Sequence, residues 1–317
     1  MKLAIALSTF LLCAFTTSAQ SVPIADKQAP GYYRMMLGDW QITAVSDGTV
    51  VIDSEKLLTH IDPATLSRRM AEQAMTPRTE TSINAYVINT GKQLILVDSG
   101  AGPLFGKAGG HLLENLRAAS IPPEQIDTVL LTHIHADHSG GVQHDGKPAF
   151  PNATVRVDKR DVDFWLDPAH ASDVEPGQRH TFEESERSLR PVIDAGKLEP
   201  FTAPAKIMPD IEALPAGGHT PGSVMYKVSR GGETLLLWGD IIHVQAVQMP
   251  QPEVAIHFDV DQAKAVEQRQ TALDMAARSN AWVASAHIAF PGIGKVKKAQ
   301  EGYRWVPVNY SSLQVKE

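Results

Sequence analysis

Cysteine is nearly absent from this chain, which has 317 residues and a single cysteine, Cys13. Because Cys13 lies in an N-terminal segment that we expect to be removed, the remaining chain would contain no disulfide. It would also offer no thiolate to a metal ion and no cysteine nucleophile. Any metal site must therefore be built from imidazole and carboxylate groups.

The chain also lacks an excess of basic over acidic residues. The chain has 29 Lys and Arg residues against 36 Asp and Glu residues, a formal net charge of −7. We find no basic run, so the composition argues against nucleic acid and anionic membranes as partners. The 43% hydrophobic content allows a sizeable core and argues against global disorder.

The N-terminus has the pattern of a secretory signal peptide over residues 1–19. Lys2 gives the positive region, Leu3 to Phe15 the apolar region, and Ala19 ends a small-residue cleavage site. The apolar run is too short to span a bilayer as an anchor. A lipoprotein signal is disfavoured because Leu12, before the cysteine, is not small. We predict a periplasmic or secreted protein that has no membrane contact once the signal is removed.

The rest of the chain is predicted as an arm over residues 20–38 and one α/β domain over residues 39–317. Two hairpins are expected, with turns at Asp47-Gly48 and at Asn89-Thr90-Gly91. The longest helix is expected at residues 260–278.

Between the hairpins and the longest helix, short predicted strands and helices alternate along the chain, a pattern that indicates mixed sheets. Helices are expected at 111–119 and 161–166, and strands at 126–131, 153–157, 223–228, 234–240 and 281–287. The polar, proline-rich segment from Asp167 to Pro204 is predicted to be a helical or loop insertion near the functional site.

The stretch TVLLTHIHADHSGG crowds potential metal ligands directly behind an apolar strand. His133, His135, Asp137 and His138 fall within six residues. The carboxyl ends of strands are where α/β sheets place ligand sites, and imidazole and carboxylate suit zinc and its neighbours. Four ligands rarely serve one catalytic ion, which needs an open position, so the cluster indicates two ions.

Three further candidates lie downstream, each where a strand or glycine-rich turn ends. They are His219 in GGHTPGS, Asp240 in LLLWGDIIH and His287 in ASAHIAFPG. A carboxylate such as Asp240 can bridge two cations.

Two residues near these motifs have less certain roles, which the sequence leaves open. Asp98 in LVDSG either caps a turn or accepts a hydrogen bond from a ligand imidazole. His243 either contacts substrate or is a partly buried strand histidine. Six other histidines lack such context and are expected on the surface or in loops: His60, His111, His144, His170, His180 and His257.

The motifs VDSG, THIHADH, GGHTPGS, WGD and SAH occur in this order between about Asp39 and His287, and this pattern resembles the metallo-β-lactamase superfamily. The resemblance implies an αβ/βα sandwich of two mixed β-sheets flanked by helices. It further implies two divalent ions, with zinc expected. One ion would be held by His133, His135 and His219, the other by Asp137, His138 and His287, with Asp240 bridging.

Two outer segments, PGYYRMMLGDWQITAVSDGTV and FPGIG…GYRWVPVNYS, resemble methyl parathion hydrolase and its lactonase relatives. This similarity implies that Phe105, Trp165 and Phe182 surround the mouth of the pocket. It also implies a homodimer, as in those relatives.

The resemblance predicts a secreted binuclear hydrolase of hydrophobic lactones or esters, such as aryl or acyl-homoserine lactones. Catalytic roles are implied for Asp240 and for Asp137, which could protonate the leaving alkoxide. Organophosphate triesters would be secondary substrates, since lactone and triester both present a polarised oxygen to the metals. A dedicated organophosphate hydrolase is the alternative. A catalytically idle metal-binding protein is disfavoured by the complete ligand set.

Overall fold

The computed structural model describes residues 21–312, so the predicted signal peptide over residues 1–19 lies outside the described residues. The strands are β1 (Tyr32–Leu37), β2 (Trp40–Asp53), β3 (Leu58–Thr59), β4 (Arg78–Asn89), β5 (Leu94–Val97), β6 (Thr128–Leu130), β7 (Gln143–His144), β8 (Lys147–Pro148), β9 (Thr154–Asp158), β10 (Leu198–Phe201), β11 (Ala205–Met208), β12 (Ile211–Pro215), β13 (Val224–Arg230), β14 (Glu233–Leu237), β15 (Ala255–Ile256), β16 (Trp282–Ala284), β17 (Ile293–Lys298) and β18 (Tyr303–Pro307). The α-helices are α1 (Ser54–Leu57), α2 (Pro63–Glu72), α3 (Leu112–Ala118), α4 (Ala136–Ser139), α5 (Lys159–Trp165), α6 (His180–Asp194), α7 (Gln245–Gln248) and α8 (Gln262–Ser279). Short 3-10 helices lie at Gly102–Phe105, Pro123–Gln125, Gly140–Val142, Pro168–Ser172, Pro176–Gln178 and Gly239–Ile241.

Most strands belong to two seven-stranded sheets. The first has the order β1-β2-β4-β5-β6-β9-β10 and the second the order β11-β12-β13-β14-β16-β17-β18. Both are mixed, because β5, β6, β9 and β10 run parallel in the first sheet and β14 and β16 run parallel in the second. Two short ladders, β3 with β15 and β7 with β8, complete the pairing among the described residues.

The two sheets pack face to face, and helices cover their outer faces. The core between the sheets contains Ile42, Ile88 and Ile95 from the first sheet and Tyr226 and Leu237 from the second. A second core lies between the first sheet and helices α3, α5 and α6, and a third lies between the second sheet and α8. This arrangement confirms the predicted αβ/βα sandwich.

Helix α8 shows how closely a periodic sequence can locate an element. It spans Gln262–Ser279, close to the predicted 260–278. Asp261 caps its start by accepting the N–H of Lys264, and Asn280 ends it in the left-handed region at φ 53°. Ala272, Leu273 and Ala276 are buried against the second sheet.

The first predicted hairpin is wrong, whereas the second is confirmed. Residues 40–53 form one continuous strand, β2, and its pairing with β4 shifts register between Ser46 and Gly48. Asp47 is therefore the extra residue of a β-bulge, not part of a turn. Its buried carboxylate accepts the backbone N–H groups of Ala101, Gly110 and Leu112, which explains why an acidic residue interrupts the strand.

The predicted arm over residues 20–38 divides in the structure. Residues 21–31 are exposed and have no regular structure, and residues 32–37 form β1 at the edge of the first sheet. Within residues 21–312, none of the helices has the length and apolar character needed to cross a bilayer.

Asp47→Ala should destabilise the fold, because three backbone donors in the loop after β5 lose their acceptor together. Unsatisfied buried donors cost roughly 1–3 kcal/mol each, with partial relief from water, so we expect a loss of about 3 kcal/mol in the free energy of unfolding. Urea titration followed by circular dichroism measures this loss.

The matched control for this change is Asp53→Ala in the same strand. Asp53 pairs with the exposed Lys56, a type of ion pair worth at most about 1 kcal/mol. Equal losses for the two variants would show that Asp47 does not organise the loop.

Candidate metal centre

All seven predicted metal ligands converge at one edge of the sandwich. They form two groups, and within each group the ligand atoms lie within 4.8 Å of one another. The first group is His133, His135, His219 and Asp240, and the second is Asp137, His138 and His287. Each group combines imidazole nitrogen with carboxylate oxygen, the donor set that zinc and other first-row divalent ions accept.

The histidine cluster converges because the chain turns out of the sheet after β6. His133 and His135 lie in the connection to α4, and Asp137 and His138 lie in the first turn of that helix. The N–H of Ser139 donates to the carbonyl of His135 at 2.9 Å, closing the turn. Side chains that would alternate between two faces of a strand are thereby brought to the same side.

Asp240 stands between the two groups of ligands. Its Oδ1 lies 3.0 Å from His138 Nε2 and 3.1 Å from His287 Nε2. Its Oδ2 lies 3.1 Å from His219 Nε2 and 3.7 Å from His133 Nε2. One carboxylate therefore faces both groups, which is the geometry that a bridging ligand requires.

The hydrogen bonding of these side chains fits the presence of cations. His133 Nε2, His138 Nε2 and Asp240 Oδ1 are buried without a well-formed hydrogen bond. Buried polar atoms are nearly always partnered in folded proteins, so three such atoms at one point need a partner. Two divalent ions bound within the two ligand groups would supply it.

The electrostatics of the site also suit metal binding. Burial and the neighbouring histidines hold the pKa of His133 and His135 well below the ordinary value, so both rings are neutral. Burial alone would raise the pKa of the Asp240 carboxyl, but the surrounding histidines, His138 foremost, hold it well below its usual range. Burial lowers the pKa of His219, yet Asp240 and Asp259 outweigh it and raise that pKa to about 9. A proton must therefore leave His219 when a cation binds.

Further contacts orient three of the ligand rings. The Nδ1 atoms of His138, His219 and His287 each lie 2.9 Å from an acceptor: Asp98 Oδ2, Asp259 Oδ1 and Ser82 O respectively. An acceptor at Nδ1 directs Nε2 of the same ring toward the metal side. Asp98 also accepts the backbone N–H of Thr132 at 2.8 Å, so it combines both roles that the sequence leaves open.

Asp259 is a site residue that the sequence analysis missed. It follows the two-residue strand β15 and is fully buried, with the equally buried Arg269 3.6 Å away. Its motif, HFDVD, has no distinctive spacing. Only its adjacency to His219 in space, 40 positions away in sequence, reveals its role.

A cavity of about 190 Å³ opens beside the ligands. Its apolar lining is Val50, Ile52, Phe105, Ala136 and Phe258, and its polar lining includes His135, Asp137, Gln178, His180, Thr181, Glu184, Asp240, His243 and His287. The predicted insertion after Asp167 thus lies near the site, since its helix α6 supplies one wall. Phe105 and His243 line the cavity, where substrate-binding roles require them to be.

Two of the predicted pocket aromatics do not line the cavity. Trp165 is completely buried and Phe182 nearly so, because α5 and α6 turn both rings inward toward the first sheet. The ring of Trp165 instead packs edge-on against His135, with centroids 5.3 Å apart. This corrects the expectation that these two rings surround the pocket mouth.

The remaining histidine predictions have mixed outcomes. His60, His111 and His144 are exposed, as expected. His180 is also exposed, but it lines the cavity and therefore belongs to the site. His243 is buried, with Nε2 3.0 Å from Asp240 Oδ2 and its ring stacked on that of His287 at 5.2 Å.

Comparison with known proteins agrees with this geometry. Residues 78–287 match the family model of the metallo-beta-lactamase superfamily. A crystal structure of AbOPH, a hydrolase in the beta lactamase superfamily, is 36% identical, with a TM-score of 0.86 over 90% of this chain and 100% of that one. The structure of AidC, a dizinc quorum-quenching lactonase, is 25% identical, with a TM-score of 0.83 over 89% of this chain and 99% of that one.

Matches to curated relatives are shorter. The N-acyl homoserine lactonase AiiB of Agrobacterium fabrum is 30% identical over 83 residues, which are 20% of this chain and 30% of that protein. The chain spans less than two thirds of the length of the curated relatives that it matches.

Asp240→Ala should remove the carboxylate that faces both ligand groups. We expect the wild-type protein to carry close to two divalent ions per chain and the variant to lose metal, with activity reduced more than about a hundredfold. Plasma mass spectrometry after gel filtration measures the metal content.

Asp163→Ala is the matched control, since Asp163 is an exposed carboxylate that pairs with Lys159 on α5. It should leave metal content unchanged. Two ions retained by Asp240→Ala would contradict the bridging role.

Proposed function

The chain belongs to the metallo-β-lactamase superfamily of metal-dependent hydrolases, and we propose that it is a binuclear enzyme that opens hydrophobic lactones. Aryl and acyl-homoserine lactones are the proposed substrates, with organophosphate triesters as a secondary activity. The observation that carries the proposal is the cavity whose lining joins apolar side chains to the ligands His135, Asp137, Asp240 and His287.

In this proposal the two ligand groups hold one ion each, and zinc is the expected metal. His133, His135 and His219 would hold the first ion, Asp137, His138 and His287 would hold the second, and the Asp240 carboxylate faces both groups. Divalent ions at such a site act as Lewis acids that polarise an ester oxygen and lower the pKa of water toward neutrality.

Asp137 is placed to manage the proton that lactone hydrolysis transfers. In that reaction a C–O bond forms between water and the carbonyl carbon, the ring C–O bond breaks, and a proton passes from the water to the departing ring oxygen. Asp137 lines the cavity and lies beside His287, with Oδ2 3.5 Å from Nε2. Its partly exposed carboxylate can take the proton and deliver it to the leaving oxygen.

The residues that line the cavity favour uncharged substrates over anionic ones. No Lys or Arg lies among its lining residues, whereas Asp137, Glu184 and Asp240 do. Asp137 and Asp240 would face the two ions, so Glu184 is the lining carboxylate whose charge an anionic substrate would meet, with no lysine or arginine of the described lining to offset it. Neutral esters with apolar substituents fit the contacts with Phe105, Phe258 and the two β2 side chains better.

His243 contributes to the same wall. Its Nε2 is engaged by Asp240, and its Nδ1 has no hydrogen-bond partner among the described residues. Because this Nδ1 atom is itself buried, we propose that His243 contacts a bound substrate through the part of its ring that lines the cavity, not through Nδ1.

Two of the matched relatives are lactonases, which supports a lactone as the substrate. AidC is described as a dizinc lactonase in complex with the product N-hexanoyl-L-homoserine, and it matches nearly the whole described chain. The shorter match to AiiB is likewise to an N-acyl homoserine lactonase. A cavity of about 190 Å³ is large enough for a lactone ring and the first part of an acyl or aryl substituent.

Export and assembly remain proposals from the sequence. We propose that the chain is exported, that its mature form begins near Gln20, and that it acts as a homodimer. N-terminal mass analysis and light scattering of protein from its native host address both points.

The kcat/KM for an aryl lactone should exceed that for a methyl parathion-like triester. A flat lactone can stack on Phe105, whereas a tetrahedral triester needs the wall shaped around three substituents. Phe105→Leu keeps apolar bulk but removes the stacking surface, which is worth roughly 0.5–1.5 kcal/mol. We expect a loss of about two- to tenfold in kcat/KM for the aryl lactone, with metal content unchanged.

Phe201→Leu provides the control, because Phe201 lies in the core between the sheets and away from the cavity. It should cost stability and leave kcat/KM intact. If the triester is turned over more efficiently than every lactone tried, the protein is a dedicated organophosphate hydrolase.

A further inference from the structure

A buried carboxylate outside the ligand set joins two of the loops that carry ligands. Asp161 lies in the first turn of α5 and is completely buried. Its Oδ2 accepts the backbone N–H of Ile134 at 3.0 Å and the hydroxyl of Thr220 at 2.9 Å. Its Oδ1 accepts the backbone N–H of Gly222 at 2.6 Å.

The partners of Asp161 lie next to the ligands in sequence. Ile134 stands between His133 and His135, and Thr220 directly follows His219. These three histidines form one ligand group together with Asp240. One carboxylate is therefore bonded to both backbone segments from which this group projects.

The loop of His219 is shaped around the same carboxylate. A Cβ atom on Gly222 would lie 2.8 Å from Asp161 Oδ1, closer than real contacts allow. Only glycine lets the backbone at this position approach the carboxylate so closely. The second half of the GGHTPGS motif thus has a physical reason that does not involve metal binding.

Helix α5 makes a second contact with this histidine group. Trp165 lies four residues after Asp161, so both side chains project from one face of the helix. The indole packs edge-on against His135, with ring centroids 5.3 Å apart. The carboxylate restrains the loop backbone, and the indole restrains a ligand ring.

We propose that Asp161 is a positioning residue that sets the spacing of His133, His135 and His219 before an ion binds. The inference rests on the proposed binuclear centre. Without Asp161, two buried N–H groups lose their acceptor, and the Thr220 hydroxyl keeps only its contact with Ser223 Oγ at 2.7 Å. A ligand-to-ligand contact, His219 Nε2 to His135 Nδ1 at 3.0 Å, then remains between the side chains of the two loops, and a bound ion would replace it. The loops would then relax apart, and an ion would have to bring them together at a cost in affinity.

The effect should be specific to one of the two ions. Asp161 bonds to neither α4 nor the segment of His287, which supply the second group of ligands. A general loss of structure would weaken both sites, whereas loss of positioning weakens only the three-histidine site.

Metal-free protein is titrated with cobalt in the presence of a competing chelator, and visible absorption monitors the binding. This titration resolves the two binding steps. His287→Ala, which removes a ligand of the second group, identifies the step that belongs to the three-histidine site. Asp161→Ala should weaken this step about ten- to hundredfold and change the other less than about twofold. Asp161→Asn keeps one acceptor oxygen, so its cobalt affinity at the three-histidine site should lie between those of Asp161→Ala and the wild type. If Asp161→Ala fails to fold, the affinity of Asp161→Asn alone tests the proposal.

Asp158→Asn is the matched control. Asp158 is an equally buried carboxylate at the start of α5, but it bonds to Arg160 and to the N–H of Ala203, away from both ligand loops. It should lower the free energy of unfolding and leave both cobalt affinities unchanged.

Three outcomes separate the hypotheses. Wild-type affinity at both sites in Asp161→Asn and Asp161→Ala would overturn the positioning role while leaving the binuclear centre intact. Equal weakening of both sites, or the same effect from Asp158→Asn, would reduce Asp161 to a general structural residue and overturn it as well. A wild-type protein that binds only one cobalt ion would instead reject the proposed function on which the inference rests.

Discussion

The buried carboxylate of Asp240, surrounded by imidazoles, is the interaction on which the rest of the site depends. A carboxylate without compensating charge is very costly to bury, so its position determines what must surround it. Five histidines have a ring nitrogen within 3.7 Å of its two oxygens: His133, His138, His219, His243 and His287. Two cations would complete this arrangement by balancing charge and by engaging His133 Nε2 and His138 Nε2, which are buried without a well-formed hydrogen bond.

The sandwich explains why these side chains meet. The ligands follow β6 in the first sheet and β12, β14 and β16 in the second, so the strand ends of two sheets converge at one edge. Backbone contacts hold the sheets in register there, since the N–H of Val224 donates to the carbonyl of Thr132 at 2.9 Å. The hydroxyl of Tyr226 donates to the carbonyl of Leu131 at 2.7 Å. The ligand atoms are therefore preorganised by the core rather than by the loops alone.

The parts of the site that depend on local patterns could be predicted from the sequence. The seven ligands follow apolar strands or glycine-rich turns, and α8 has a clear period and cap. The supporting residues could not be predicted, because an isolated aspartate such as Asp161 or Asp259 looks the same in sequence whether it is solvated or buried. Asp47-Gly48 predicts a hairpin turn because Asp-Gly favours hairpins, but Asp47 lies in a bulge and its carboxylate makes three long-range hydrogen bonds. The resemblance places Trp165 at the pocket, and only the packing of α5 shows that this ring faces inward.

A crystal structure with anomalous diffraction recorded at the zinc absorption edge tests the central claim most directly. The account predicts two peaks, one among His133, His135 and His219 and one among Asp137, His138 and His287. Each should lie within about 2.0–2.2 Å of an oxygen of Asp240. A single fully occupied peak, or two peaks that do not contact Asp240, would contradict the account.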